Sequence, residues 1–126
     1  MGFIYADIEL ANAKNGSLKP MAVMALVDTG AMTPCIPEHI AIQLQLQEIE
    51  KREVTTADER RHVVPYVGPV QIKFANRTCF TGALVIGESV LMRAVPMEDM
   101  DLVISPSEQT VVVNPKSPNI PSAVVK

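Results

Sequence analysis

The sequence predicts a mostly β, barrel-like domain with one or two short helices. Short apolar segments of strand length recur along the chain, clusters of turn-forming residues separate them, and helical periodicity is confined to brief stretches. With 126 residues, 48% of them hydrophobic, the chain can bury one core of its own. We divide it into one domain, residues 1–114, and a proline-containing tail, residues 115–126.

The first two predicted strands form a hairpin that ends at an acid. Residues 3–10 alternate loosely, and an Asn-Gly pair at residues 15–16 favours a tight turn. Residues 21–27 are continuously apolar, which is typical of a buried strand. Asp28 follows directly, and a carboxylate there needs a partner or hydrogen bonds. Because Thr29 offers a hydroxyl and Gly30 permits a tight turn, we expect an acid held in a fixed, partly buried place.

A short helix and a polar hairpin are predicted next. Pro37 suits the first helical position, and Ile36, Ile40 and Leu44 form one apolar stripe that would pack on the sheet. His39 is expected to be solvated. Residues 48–56 and 60–67 form strands with little apolar surface, so this hairpin should project from the body and move.

The second half of the chain predicts further strands separated by turns. They cover residues 70–74, 78–86 and 90–92, after a bend at residues 68–69. One helical turn at residues 96–101 precedes a last hairpin, residues 102–104 and 110–113. The prolines of the tail favour an extended chain, and residues 122–126 would add an edge strand or fray.

Composition and charge exclude several classes of partner. The net charge is −3, aromatic residues make up 4% and tryptophan is absent, which argues against nucleic acid and anionic membranes. No apolar run approaches membrane-spanning length and no signal peptide is visible, so we expect a cytoplasmic protein. Cys35 and Cys79 are expected to be reduced thiols. We expect no metal or cofactor, since the acids at residues 98–101 lack the alternation of a calcium loop.

The segment Asp28-Thr29-Gly30-Ala31 resembles the catalytic turn of retropepsin-like aspartic proteases, in particular the single-domain, bacterial-type members. The predicted order of strands, helices and polar hairpin also matches that fold, and residues 94–103 resemble the stretch that precedes its last hairpin. The resemblance implies an acid-protease half-barrel whose hairpin closes over a peptide as a flap. It assigns the catalytic role to Asp28, supporting roles in the catalytic loop to Thr29, Gly30 and Ala31, and the flap tip to Ala57, Asp58 and Glu59.

One Asp-Thr-Gly in a short chain has a chemical consequence. Peptide hydrolysis by carboxylates needs one ionised and one protonated acid, so the resemblance implies a homodimer that pairs two copies of Asp28. The substrate would be a peptide or protein. The first strand and residues 111–113, or the tail, are the expected dimer edges.

The sequence departs from the family pattern near its end. The family usually has a glycine after an apolar pair beside the catalytic loop, whereas Arg93 follows Leu91 and Met92 here. An arginine there would work against a shared proton. Residues 85–87, Val-Ile-Gly, are an alternative match. Two other readings stay open: a catalytically silent dimer that binds peptides or proteins, and a monomeric β domain with Asp28 turned toward solvent.

Overall fold

The computed structural model describes residues 2–125, so Met1 and Lys126, the outer limits of the predicted domain and tail, lie outside the described residues. Within this range the chain forms nine strands and two short helices, which confirms the mostly β class. In chain order these are β1 (Tyr5–Asn12), β2 (Met21–Val27), β3 (Cys35–Ile36), α1 (Glu38–Gln43), β4 (Gln47–Thr55), β5 (Arg61–Phe74), β6 (Arg77–Val85), β7 (Leu91–Met92), α2 (Ala94–Asp99), β8 (Leu102–Ser105) and β9 (Thr110–Val113).

Six of the strands in residues 2–125 close into a barrel. Their order is β1-β2-β7-β3-β6-β5, and β5 returns to β1. Closure depends on β1, which pairs with β2 through its first six residues and with β5 through its last four. The expected role of the first strand as a dimer edge is therefore wrong for Glu9 and Leu10, because both of their sides are already paired. The strands β8 and β9 form a separate small sheet.

The core fills the barrel and the space under α1. Along β1 the side chains alternate between exposed and buried, and Ala6, Ile8 and Leu10 enter the core. The predicted stripe that includes Ile40 and Leu44 is buried, which confirms that α1 packs on the sheet. None of the helices formed by residues 2–125 has the length and apolar character needed to cross a membrane.

The long strand β5 joins the barrel to a charged hairpin. The two strands predicted on either side of the bend at residues 68–69 are one strand, which runs from Arg61 to Phe74. Its pairing with β6 shifts register between Val67 and Val70, and this bulge accommodates Pro69 inside a strand. One strand therefore belongs both to the barrel and to the hairpin that β5 forms with β4.

A stacked aromatic ring fixes the base of that hairpin. The guanidinium of Arg52, on β4, lies 3.7 Å from the ring centroid of Tyr66, on β5. The same ring covers Gly82 of β6, where an added Cβ would overlap the ring atoms. Glycine at this position therefore lets the tyrosine side chain lie directly against the β6 backbone.

Hydrogen bonds hold the tail in place, although residues 114–125 contain no strand. The carboxylate of Asp101 accepts hydrogen bonds from the Ser117 hydroxyl at 2.5 Å and from the Ser122 backbone N–H at 2.9 Å. These bonds, with one from the Asn114 side chain, lower the pKa of Asp101 to about 2. The buried Arg77 donates to the carbonyl of Ser117. Residues 122–125 form no strand, so the expected edge strand is wrong over these residues, and the hydrogen bond at Ser122 holds only the start of this segment.

Candidate active site

The acidic loop, residues Asp28, Thr29, Gly30 and Ala31, begins where β2 ends and lies along the chain that follows β7. The N–H of Asp28 donates to the carbonyl of Met92 at 2.9 Å, and the N–H of Ala94 donates to the carbonyl of Ala31 at 3.0 Å. Backbone hydrogen bonds at both ends therefore fix the path of this loop against residues 92–94.

The Asp28 carboxylate is held by its own loop. Its Oδ1 accepts a hydrogen bond from the N–H of Gly30 at 3.1 Å, and a Cβ at residue 30 would lie 3.3 Å from the same oxygen. Glycine thus allows the close approach that the sequence predicts. The Asp28 side chain is 50% exposed, in line with a partly buried acid, and Thr29 beside it is exposed.

Arg93 lies next to Asp28 because β7 runs parallel to β2. Leu26 pairs with Leu91 and Val27 with Met92, so the following residues on the two strands are Asp28 and Arg93. The Arg93 Nε lies 3.9 Å from Asp28 Oδ2, which is an ion-pair distance beyond hydrogen-bond range. Among residues 2–125 the buried Nε–H has no hydrogen-bond partner, although such a donor costs about 1–3 kcal/mol when unsatisfied.

The structure also shows which of the two candidate segments, residues 91–93 or residues 85–87, lies beside the acidic loop. The alternative match, residues 85–87, runs along β3, where the N–H of Ile86 donates to the carbonyl of Ile36 at 3.1 Å. The position adjoining Asp28 is therefore the one occupied by Arg93.

A cavity of about 490 Å³, here called the main cavity, separates the acidic loop from the tip of the charged hairpin. Ala57 lines it, whereas Asp58, Glu59 and Asp28 are not among its lining residues. Asp28 is connected to it through Arg93, which lines the cavity wall. The lining consists of Ala31, Met32, Thr33, Cys35, Val54, Thr55, Thr56, Ala57, Leu84, Ile86 and Arg93.

The hairpin tip is a tight, hydrogen-bonded turn at residues 56–60. The carboxylate of Asp58 accepts a hydrogen bond from the Thr56 hydroxyl at 2.5 Å and another from the Arg60 N–H at 3.2 Å. These bonds lower the pKa of Asp58. Glu59 adopts the left-handed conformation, with φ of 66°. Ala57, Asp58 and Glu59 thus occupy the tip that the sequence predicts, and their role as a flap stays a prediction.

Both cysteines are buried free thiols, as expected. Cys35 lines the main cavity, and burial raises its pKa, although the charge of Arg93 acts in the opposite direction. Burial raises the pKa of Cys79 to about 12. His39 is exposed, as predicted for a solvated residue. Within residues 2–125, no group of three or more acidic, histidine or cysteine side chains has metal-binding geometry.

Sequence reasoning identified the acidic loop and Arg93 but missed most of the cavity wall. Val54 gave a weak signal in the sequence, since it is the apolar residue nearest the tip in a polar strand. In the structure it is half-buried. Leu84 and Ile86 read as ordinary strand residues. A scan against protein-family models and a search of curated proteins find no match for this chain. What the site can do is therefore inferred from its geometry.

Proposed function

We propose that this chain is an aspartic-type endopeptidase that acts as a homodimer. The observation that carries the proposal is the Asp28 carboxylate, which is half exposed and held by a rigid loop beside a cleft under a hairpin. In the proposed mechanism two copies of Asp28 share one proton. The ionised copy activates water, and the protonated copy polarises the peptide carbonyl.

A second copy of the chain is required because one carboxylate cannot hold both protonation states at once. In the single chain Asp28, Thr29 and Gly30 are all exposed, so this surface is available to a partner. A two-fold axis beside the acidic loop would bring two copies of Asp28 together. In such a dimer, the closed barrel and projecting hairpin of each chain would correspond to one retropepsin-like half-barrel.

The proposed substrate is an extended peptide or protein segment in the main cavity. Apolar walls from Val54, Leu84 and Ile86 suit aliphatic side chains, and three threonines add hydroxyl groups. Closure of the hairpin over the peptide would exclude water and add backbone hydrogen bonds. The proposed setting is a reducing cytoplasm, supported by the free thiols of Cys35 and Cys79.

A catalytically silent peptide-binding dimer is the second candidate, and Arg93 favours it. Its guanidinium lies at an ion-pair distance of 3.9 Å from Asp28 Oδ2, so the acid already has a charged partner within its own chain. Both candidates use the same cleft and the same dimer. They differ in whether peptide bonds are broken, which a substitution can decide.

Hydrolysis is tested with an unfolded protein substrate between about pH 3 and 7, an interval that covers carboxylate dyads. Asp28→Asn is expected to lower kcat/KM by ~10²–10⁴-fold, while the dimer mass in sedimentation is retained. Glu38→Gln removes an exposed carboxylate from α1, outside the acidic loop, the cavity lining and the expected dimer edges, and should leave cleavage unchanged. Equal cleavage by Asp28→Asn and the unsubstituted chain would refute the peptidase.

A subunit-mixing experiment tests whether two copies of Asp28 are needed. With equal amounts of unsubstituted and Asp28→Asn chains, random pairing leaves about a quarter of the dimers with two carboxylates. Activity should therefore fall to about a quarter of that of the same total amount of unsubstituted chain. If each chain worked alone, about a half would remain. If only Arg93→Gly cleaves, the silent dimer is the correct description of the natural chain.

A further inference from the structure

We infer that Arg93 is a specificity residue that binds an acidic side chain of a peptide held in the main cavity. This inference rests on the proposed peptide-binding role of the cleft and not on hydrolysis. Among residues 2–125, Arg93 is the only charged residue that lines the cavity. An aliphatic wall with one cation fits an apolar segment that carries one carboxylate.

Asp28 does not occupy the hydrogen-bond donors of the Arg93 guanidinium. A guanidinium carries five N–H donors, and Asp28 lies at ion-pair distance without forming a hydrogen bond to Nε. Asp28 is also engaged by its own loop through Gly30. Donors of Arg93 can therefore bind a second carboxylate that enters from the cavity, while Asp28 orients the guanidinium from the other side.

The geometry favours an internal acidic residue over a chain end. A second cavity of about 270 Å³ lies beyond Arg93 and shares Cys35, Thr56 and Ile86 with the main cavity. A peptide can therefore continue past Arg93 in both directions. Glu88 lines the second cavity, so its negative charge directs the ligand carboxylate to the main cavity.

Binding is measured by fluorescence anisotropy with short labelled peptides of alanine, leucine and valine that differ at one central residue. One peptide carries Glu and the other Gln, and each is made with a free and an amidated C-terminus. Mass spectrometry checks that the peptides stay intact. The Glu peptide should bind about 10-fold or more tightly than the Gln peptide, whichever C-terminus it carries.

The variants then assign this preference to one side chain. Arg93→Met should abolish the difference between Glu and Gln peptides, and Arg93→Lys should retain part of it. Lys14→Met removes one positive charge equally, at an exposed residue in the turn between β1 and β2, and should retain all of it. Circular dichroism confirms that each variant is folded.

Three results would overturn the inference. They are equal binding of the Glu and Gln peptides, a preference that survives in Arg93→Met, and a dependence on the C-terminal carboxylate alone. Cleavage is scored separately. An acidic preference without cleavage would support this inference and refute the peptidase, whereas cleavage without an acidic preference would do the opposite.

Discussion

Replacing Gly82 with alanine is expected to destabilise the protein by forcing the Tyr66 ring off the barrel. An added Cβ would overlap the ring atoms, so the ring has to move away from the β6 backbone, which also disturbs its contact with Arg52. Overpacking of this kind costs about 1–3 kcal/mol, and alanine in a strand recovers about 0.5–1 kcal/mol relative to glycine. The central values of these two ranges give an expected net loss of about 1 kcal/mol.

Urea unfolding followed by circular dichroism measures this loss, at one fixed protein concentration because dimerisation would add to stability. In a Tyr66→Leu background the same substitution meets no ring. It should then be neutral or stabilising by up to ~1 kcal/mol. The reasoning is refuted if Gly82→Ala costs the same in both backgrounds, or if it costs less than about 0.5 kcal/mol in the unsubstituted protein.

Three further outcomes are expected. Because the folded pKa of Asp101 is lowered to about 2, its stabilisation is present above about pH 4 and is lost as pH falls toward 2. Asp101→Asn should therefore reduce the dependence of the urea midpoint on pH in acid, whereas Asp99→Asn should not. Asp101→Asn should also increase the rate of hydrogen exchange in the tail. Met100→Ala, at a fully buried side chain, should lower the free energy of unfolding by about 2–5 kcal/mol. Met24→Ala, at an exposed side chain, should lower it by less than about 0.5 kcal/mol. Cys79, buried and with a pKa of about 12, should resist alkylation at pH 8 unless urea is added, as mass spectrometry would show.

Local signals in the sequence predicted the elements around the candidate site closely. The bounds of β2 match the prediction, because Pro20 and Asp28 mark its ends and the residues between them are apolar throughout. The helix α1 and the tip residues 57–59 also lie where the apolar stripe and polar turn indicate. Each of these features depends on residues close together in the chain.

Features that depend on distant partners were not predictable in this way. The continuity of β5 through Pro69 needs a register shift against β6, which no residue of β5 specifies alone. The position of the tail depends on Asp101 accepting hydrogen bonds from Ser117 and Ser122. The wall of the main cavity combines residues of three strands with residues of four connecting segments, so its apolar members look like ordinary core residues until the barrel is closed.

The parallel pairing of β2 with β7 also has a kinetic consequence. Leu26 pairs with Leu91, and Glu9 pairs with Lys73 where the barrel closes. Both pairings join residues that are far apart in the chain, so the chain loses the entropy of closing a long loop before the contacts stabilise the fold. We expect slow folding, with the support of Asp28 among the last contacts to form. A nascent or truncated chain that ends before Met92 lacks the backbone that clamps Asp28, so the site is assembled only after nearly the whole barrel sequence has been synthesised.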